Sequence, residues 1–106
     1  MIAMNTQQFN QFAVEGNQPV LVEFWAPWCV YCRRIAPALD KISEQYGSAL
    51  MVGQVNIDEE PLLASQEEIE VIPTLILYRN GEALGSIVAP ESKARIEKFI
   101  QETLAG

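Results

Sequence analysis

The segment VLVEFWAPWCVYC, residues 20–32, decides the fold of this chain. Its first half, Val20–Trp25, is nearly continuously apolar, which predicts a central strand covered on both faces. A helix is expected after Pro27, and Cys29 and Cys32 stand three positions apart at its start. A Cys-x-x-Cys pair between a strand and a helix of a βαβ pattern indicates redox chemistry.

Apolar periodicity and turn residues predict the other elements around this segment. Before the segment they are a short apolar start at Ile2–Met4 and a helix capped by Asn5 or Thr6 and ended by Gly16. After it come a helix that follows Pro27, contains Pro37 and ends at Gly47, a strand at 50–57 and a short helix from Pro61 to about Glu67. The last elements are two strands at 74–78 and 83–88 joined by Arg79–Glu82, and a C-terminal helix marked by Ile96, Phe99, Ile100 and Leu104. The order βαβαβ, helix, β-hairpin, helix predicts one α/β domain over residues 1–106. We expect a mixed sheet with helices on both faces, right-handed crossovers between the first three strands and an antiparallel final pair.

Composition excludes several classes of protein. No apolar stretch approaches the roughly 20 residues that cross a bilayer. The start MIAMNTQQF has neither a basic leader nor a long apolar run, so we expect a cytoplasmic protein. Formal net charge is −7, and no basic residue stands between Lys41 and Arg79. Such a surface repels nucleic acid phosphates, and we interpret it as a solvated face rather than a docking patch for basic partners.

The chain has two cysteines and no histidine. Small secreted disulfide scaffolds usually carry more cysteines. A zinc site needs four ligands, commonly Cys and His, so this chain would need a second copy or several carboxylates to complete one, and we expect no metal. A redox pair or two inert buried thiols remain. Because Trp28, Arg33 and Arg34 flank the cysteines, we expect no apolar pocket around both thiols.

The position of Cys29 favours its reactivity. It precedes the first helical turn, where unpaired N–H groups and the helix dipole stabilise a thiolate and lower the pKa of the thiol. Arg33 and Arg34 add positive charge nearby. Cys32, within the first turn, is placed to swing back and attack a mixed disulfide.

The chain resembles the thioredoxin family in motifs that occur in the family's order and spacing over essentially its whole length. The motifs are Val22–Cys32, Ile35-Ala36-Pro37, Val55–Asp58, Ile72-Pro73-Thr74 and Asn80-Gly81. The resemblance implies the thioredoxin fold, a central five-stranded mixed sheet flanked by four helices.

The resemblance also implies an activity. Cys29 would attack the disulfide of a client protein and Cys32 would resolve the mixed disulfide. An NADPH- and flavin-dependent thioredoxin reductase would return the electrons, and the chain itself would bind no cofactor. The protein is then expected to be a monomeric electron carrier in cell redox homeostasis. By the same resemblance Pro73 is cis and faces the cysteines. The implied substrate groove consists of Trp28, Val30, Tyr31, Val71, Ile72, Pro73 and Ala89.

The cysteine pair is atypical for the family, because Val30-Tyr31 stands where most members have Gly-Pro. Unlike proline, Tyr31 supplies a backbone N–H in the first helical turn. We hypothesise that this donor stabilises the thiolate and makes the protein a stronger oxidant than a Gly-Pro thioredoxin.

Other departures affect proton transfer and the groove. Glu23 replaces the family's usual buried aspartate, and Gln54 replaces a frequent lysine. Burial would raise the pKa of Glu23, which could then accept the Cys32 proton through water. The alternative is an outward-facing, solvated glutamate. Val71 and Ala89-Pro90 replace small glycine-containing positions, and their bulk would narrow the range of clients.

Two other functions are compatible with parts of the sequence. A more oxidising exchanger or isomerase shares the chemistry, but the absent signal peptide and the absence of histidine between the cysteines argue against it. A binding module that uses the fold as a scaffold is a different class. Such modules often lose one cysteine, whereas Cys29 and Cys32 are both present.

Overall fold

The computed structural model describes residues 1–106, and its elements follow the predicted order. They are β1 (Ile2–Ala3), α1 (Thr6–Phe9) followed by a π-helical turn (Asn10–Val14), β2 (Val20–Trp25), α2 (Val30–Tyr46) followed by a 3-10 turn (Gly47–Ala49), β3 (Met51–Asn56), α3 (Pro61–Gln66), β4 (Thr74–Arg79), β5 (Glu82–Val88) and α4 (Lys93–Ala105). The predicted thioredoxin fold, with five strands and four helices, is confirmed. None of the helices combines the length and apolarity that a membrane span requires.

The sheet has the strand order β1-β3-β2-β4-β5. β3 runs parallel to β1 and β2, whereas β4 runs antiparallel to β2 and β5. β2 is therefore the central strand, as its apolar sequence predicts. In its register Glu23 lies opposite Gln54 of β3 on one side and Leu75 of β4 on the other.

Helices cover both faces of the sheet and create two core clusters. On one face, Leu21 of β2 packs with Leu39 and Ile42 of α2 and with Ile100 of α4. We call this the α2/α4 face. Because neighbouring residues of a strand point to opposite sides, Val22 and Phe24 lie in the other cluster. That cluster contains α1 and α3, and we call its side the α1/α3 face.

Local sequence explains the element boundaries. Asn5 caps α1 through a reciprocal capping box with Gln8, and Ser92 caps α4 by accepting from the Arg95 N–H at 3.1 Å. The predicted Asn80-Gly81 hairpin is confirmed, with φ of 55° and 77° at the two residues. Gly81 is also required for space, since a Cβ there would lie 2.8 Å from the Val14 carbonyl oxygen.

The ends of some elements differ from the prediction. The first helix becomes π-helical after Phe9, although Phe9 and Ala13 both remain in the core. Met4 lies outside β1 but is buried, and its N–H donates to the Gln54 carbonyl at 2.8 Å. Leu50 is likewise buried just outside β3. A run of apolar residues in the sequence indicates which residues are buried, and burial extends beyond the residues that pair in the sheet.

Candidate functional site

The cysteine pair lies at the N-terminus of α2, directly beyond the carboxyl end of β2. Cys29 is the N-cap residue, and its Sγ accepts from the backbone N–H of Cys32 at 3.2 Å. The two cysteines form a disulfide with their Cα atoms 5.3 Å apart. The structure therefore shows the oxidised form, with the sulfur of Cys29 already placed at the unpaired donors of the helix.

The donor to this sulfur differs from the one that the sequence suggested. The hydrogen bond comes from Cys32, and no bond from the Tyr31 N–H to Cys29 is formed. An N-cap acceptor typically bonds the N–H two or three residues further on, and here the third residue fills that role. The hypothesis that the Tyr31 N–H sets the redox potential thus concerns the reduced form only.

The expectation about the surroundings of the thiols is wrong. Cys29 and Cys32 are 8% and 2% exposed and form an apolar cluster with Ala26. Trp25, Tyr31, Ile57 and Ile72 pack against this cluster. Flanking polar residues did not predict this environment because Arg33 and Arg34 point outward from the helix and are exposed. Both cysteines are buried, and Cys29 is the more exposed residue of the two.

The Ile72–Pro73 peptide bond is cis, as the resemblance predicted. Pro73 is buried, and its carbonyl accepts from the Ala89 N–H at 2.9 Å. Thr74 donates its hydroxyl to the Val71 carbonyl. These bonds hold the segment before β4 against the end of β5, while Ile72 packs on the cysteine cluster.

Exposed apolar side chains surround the cysteines. Trp28, Val30 and Val71 are 65%, 58% and 56% exposed, and Ala89 is exposed as well. The Trp28 Nε1–H donates to Asp58 Oδ2 at 2.9 Å, which fixes one edge of the indole. A cluster of exposed large apolar residues is typical of a binding surface.

Tyr31 lies between the cysteine turn and the end of β5. Its ring is half-buried against the cysteine cluster, and the Arg34 guanidinium carbon lies 5.8 Å from the ring centroid. The hydroxyl donates to the Pro90 carbonyl at 2.8 Å. No local pattern in the sequence indicates this contact, which joins residues 59 positions apart.

Glu23 is buried beneath α2 and is only 1% exposed, so the alternative of a solvated glutamate is wrong. Its Oε1 accepts from Gln54 Nε2 at 3.3 Å, whereas Oε2 has no hydrogen-bond partner. Burial raises the pKa of Glu23 to about 7, the Gln54 hydrogen bond opposes this rise and the charge of Asp40 adds to it. Glu23 can therefore exchange a proton near neutral pH.

Asp40 of α2 belongs to the same environment, although the sequence did not single it out. Its Oδ1 lies 3.6 Å from the ammonium group of Met1. A cavity of about 190 Å³ is lined by Gln54, Trp25 and Asn56 among other residues. No cluster of three or more His, Cys, Asp or Glu side chains is arranged to hold a metal ion.

Comparison with known proteins agrees with this geometry. Residues 1–102 match the model of the thioredoxin family. Over 102 residues the chain is 39% identical to thioredoxin 1 of Synechococcus elongatus, covering 96% of this chain and 95% of that protein. It is 40% identical over 96 residues to thioredoxin 1 of Nostoc sp., covering 91% and 90%. Thioredoxin of Buchnera aphidicola is 36% identical over 104 residues, covering 98% and 96%.

Proposed function

Since the chain belongs to the thioredoxin family, we propose that Cys29 is its attacking thiolate and Cys32 its resolving thiol. The activity itself is thiol–disulfide exchange, and the protein is a thiol–disulfide oxidoreductase. The observation that carries the assignment of roles is the N-cap position of Cys29. There its sulfur accepts a hydrogen bond from a helix N–H, and Cys29 as a residue is more exposed than Cys32.

In the first step the Cys29 thiolate attacks one sulfur of a client disulfide. A bond forms between Cys29 Sγ and that sulfur, the client S–S bond breaks, and the other client sulfur leaves as a thiolate. The N-terminal N–H groups of α2 stabilise the attacking thiolate. Cys32 remains a protonated thiol behind it.

In the second step Cys32 loses its proton and attacks Cys29 Sγ. The mixed disulfide breaks, the second client sulfur leaves as a thiolate, and the Cys29–Cys32 disulfide forms. Two electrons have moved to the client, whose two thiolates take up protons. We assign the removal of the Cys32 proton to Glu23, acting through water, because a carboxylate with a pKa of about 7 is matched to this task.

The exposed apolar surface would form the binding site for the client. Trp28, Val30 and Val71 would contact side chains on either side of the client disulfide, with Tyr31, Ile72, Pro73 and Ala89 completing the groove. Pro73 has no N–H, so the backbone preceding it is free to pair with an extended client segment. Main-chain pairing of this kind binds many sequences, which suits a reductant of several clients.

The remaining assignments concern the cellular setting. The disulfide must be reduced again after each turnover, and we assign this to an NADPH- and flavin-dependent thioredoxin reductase. The protein would act as a monomeric electron carrier in the cytoplasm, maintaining redox homeostasis. The clients would be proteins with accessible disulfides rather than nucleic acids, in keeping with the acidic charge of the chain.

Insulin reduction tests the proposal. Wild type supplied with reductase and NADPH is expected to reduce insulin, and Cys29→Ser is expected to be inactive. Cys32→Ser should instead accumulate a mixed disulfide with insulin that is visible on a non-reducing gel. Trapping by Cys29→Ser rather than by Cys32→Ser would reverse the two roles, and an inactive wild type would reject the function.

A further inference from the structure

The hydroxyl of Tyr31 joins two parts of the groove that are far apart in sequence. One is the cysteine turn that carries Tyr31, and the other is the corner formed by Ala89 and Pro90 between β5 and α4. The hydroxyl donates to the Pro90 carbonyl at 2.8 Å. Pro90 is a buried residue and the contact is partly buried, where a carbonyl left without a donor carries a free-energy cost. We call this hydrogen bond the Tyr31 latch.

The Ala89 corner is strained. Ala89 has a φ of 44°, in the left-handed region that glycine adopts readily and residues with a Cβ do not. The proline that follows also biases Ala89 towards extended conformations. Such a conformation persists only where the surrounding structure enforces it.

Two hydrogen bonds enforce it, one on each side of the strained residue. On the N-terminal side the Ala89 N–H donates to the Pro73 carbonyl at 2.9 Å, which ties the corner to the cis-proline segment. On the C-terminal side the latch ties Pro90 to α2. The cysteine turn, the cis-proline segment and the Ala89 corner, which together form the groove, are thereby connected to one another.

We propose that Tyr31 is a positioning residue that holds the Ala89 corner in place and so preorganises the groove for protein clients. This rests on the proposed function, and it differs from the backbone hypothesis for Tyr31 because it concerns the hydroxyl. Without the latch, Ala89 relaxes from its positive φ and the corner shifts away from Pro73. A client segment that spans the groove must then order the corner when it binds, and so binds less well. A small disulfide that touches only the cysteines does not depend on the corner to the same degree.

Tyr31→Phe removes the hydroxyl and keeps the ring. Tyr46→Phe is the matched control, since Tyr46 also lies on α2 and packs on the core, and its hydroxyl forms no hydrogen bond within the protein. Each pre-reduced protein is mixed with insulin and, separately, with hydroxyethyl disulfide in single-turnover reactions. We expect the ratio of the insulin rate constant to the small-disulfide rate constant to fall roughly fivefold in Tyr31→Phe, the effect of one neutral hydrogen bond. It should stay at the wild-type value in Tyr46→Phe.

Ala89→Gly supplies a rescue. Glycine adopts a positive φ without a Cβ penalty, so the corner no longer needs the latch. The double variant Tyr31→Phe/Ala89→Gly is expected to return to within about twofold of the ratio for Ala89→Gly alone. A proportional loss with both substrates, an unchanged ratio in Tyr31→Phe, or a double variant that remains impaired would overturn the proposal.

Amide hydrogen exchange tests the latch independently of activity. The Ala89 N–H, bonded to Pro73, should exchange roughly fivefold faster in Tyr31→Phe than in wild type and Tyr46→Phe. Equal protection in all three proteins would refute the latch, whether or not the wild type reduces insulin. If wild type fails to reduce insulin but the Ala89 N–H still exchanges faster in Tyr31→Phe, the proposed function is rejected and the latch is supported.

Discussion

The two faces of the sheet are built from the same central strand but differ in what they bury. On the α1/α3 face, Phe24 of β2 packs edge-on against Phe9, and Tyr78 meets the same ring at a centroid distance of 5.2 Å. On the α2/α4 face, the same strand places Glu23 in the interior with one oxygen unpartnered. The polar atom that the α1/α3 face buries, the Tyr78 hydroxyl, donates to Glu67 at 2.6 Å, whereas the α2/α4 face retains an unpartnered carboxylate oxygen close to the helix that carries the cysteines.

This difference indicates how the fold divides its tasks. A buried carboxylate with incomplete hydrogen bonding destabilises a domain unless it becomes protonated. The apolar and aromatic packing of the α1/α3 face helps to offset that cost, and none of the proposed site roles falls on its side chains. We therefore expect substitutions on the α1/α3 face to lower stability without changing activity, and substitution of Glu23 on the α2/α4 face to change activity.

The largest effect is expected at Phe24. Phe24→Ala leaves a cavity in a fully buried aromatic cluster and should lower the free energy of unfolding by about 3–5 kcal/mol. Urea denaturation measures this loss. Under conditions where the variant is folded, its insulin reduction rate should equal that of wild type. Lower activity per folded molecule would show that the α1/α3 face contributes to the chemistry after all.

The second effect is the dependence of stability on pH that Glu23 imposes. Its pKa is raised from 4.5 to about 7 by folding, so the folded state binds more protons than the unfolded state between these values. The free energy of unfolding therefore falls by about 3 kcal/mol as the pH rises from about 4.5 to 7, and it stays constant at higher pH.

Glu23→Gln should abolish this part of the pH profile. Urea denaturation at pH 5 and pH 8 measures it, with Glu44→Gln as a control because Glu44 is an exposed acid on α2. If Glu23→Gln and wild type lose the same stability between the two pH values, Glu23 is not the titrating group.

The third effect concerns the rate of resolution. Glu23→Gln cannot accept a proton, so release of a client from the mixed disulfide should slow on the order of 10²-fold at pH 7. Rapid acid quenching after mixing with insulin follows the mixed disulfide over time. Resolution at the wild-type rate would remove Glu23 from the mechanism and leave it as a stability cost only.

The smallest expected effect concerns the reduction potential of the cysteine pair. Tyr31→Pro removes the backbone N–H, and if that donor stabilises the Cys29 thiolate, the reduction potential should become about 30 mV more negative, roughly 1.4 kcal/mol for this couple. Equilibration with glutathione measures the potential. Tyr31→Phe keeps the N–H and should have the potential of wild type, so the two variants separate the backbone of Tyr31 from its hydroxyl. An unchanged or more oxidising proline variant would contradict the hypothesis.

Features that depend on local sequence were predictable. The apolar run of β2, the Asn-Gly hairpin and the position of the cysteines at the start of α2 all follow from neighbouring residues. The burial of Glu23 also follows, since the strand that carries it is apolar on both sides. The family resemblance supplied the cis bond before Pro73.

Features that depend on distant contacts were not predictable from local pattern. The latch between Tyr31 and Pro90 and the approach of Asp40 to Glu23 both require the packed structure. The apolar surroundings of Cys29 were missed for the same reason. Its pocket includes Ile57 and Ile72, which are distant from Cys29 in the sequence, so the residues that flank the cysteines do not indicate it.

The disulfide between Cys29 and Cys32 closes a very small ring, because the cysteines are only three positions apart. In the polymer description of the unfolded chain, the entropy removed by a crosslink grows with the logarithm of the ring size. A ring this small accounts for about 2 kcal/mol, against about 3 kcal/mol for a 15-residue ring. Domains of ordinary stability have roughly 5–15 kcal/mol. The crosslink can thus be opened and closed in every catalytic cycle while the two packed faces of the sheet keep the domain folded.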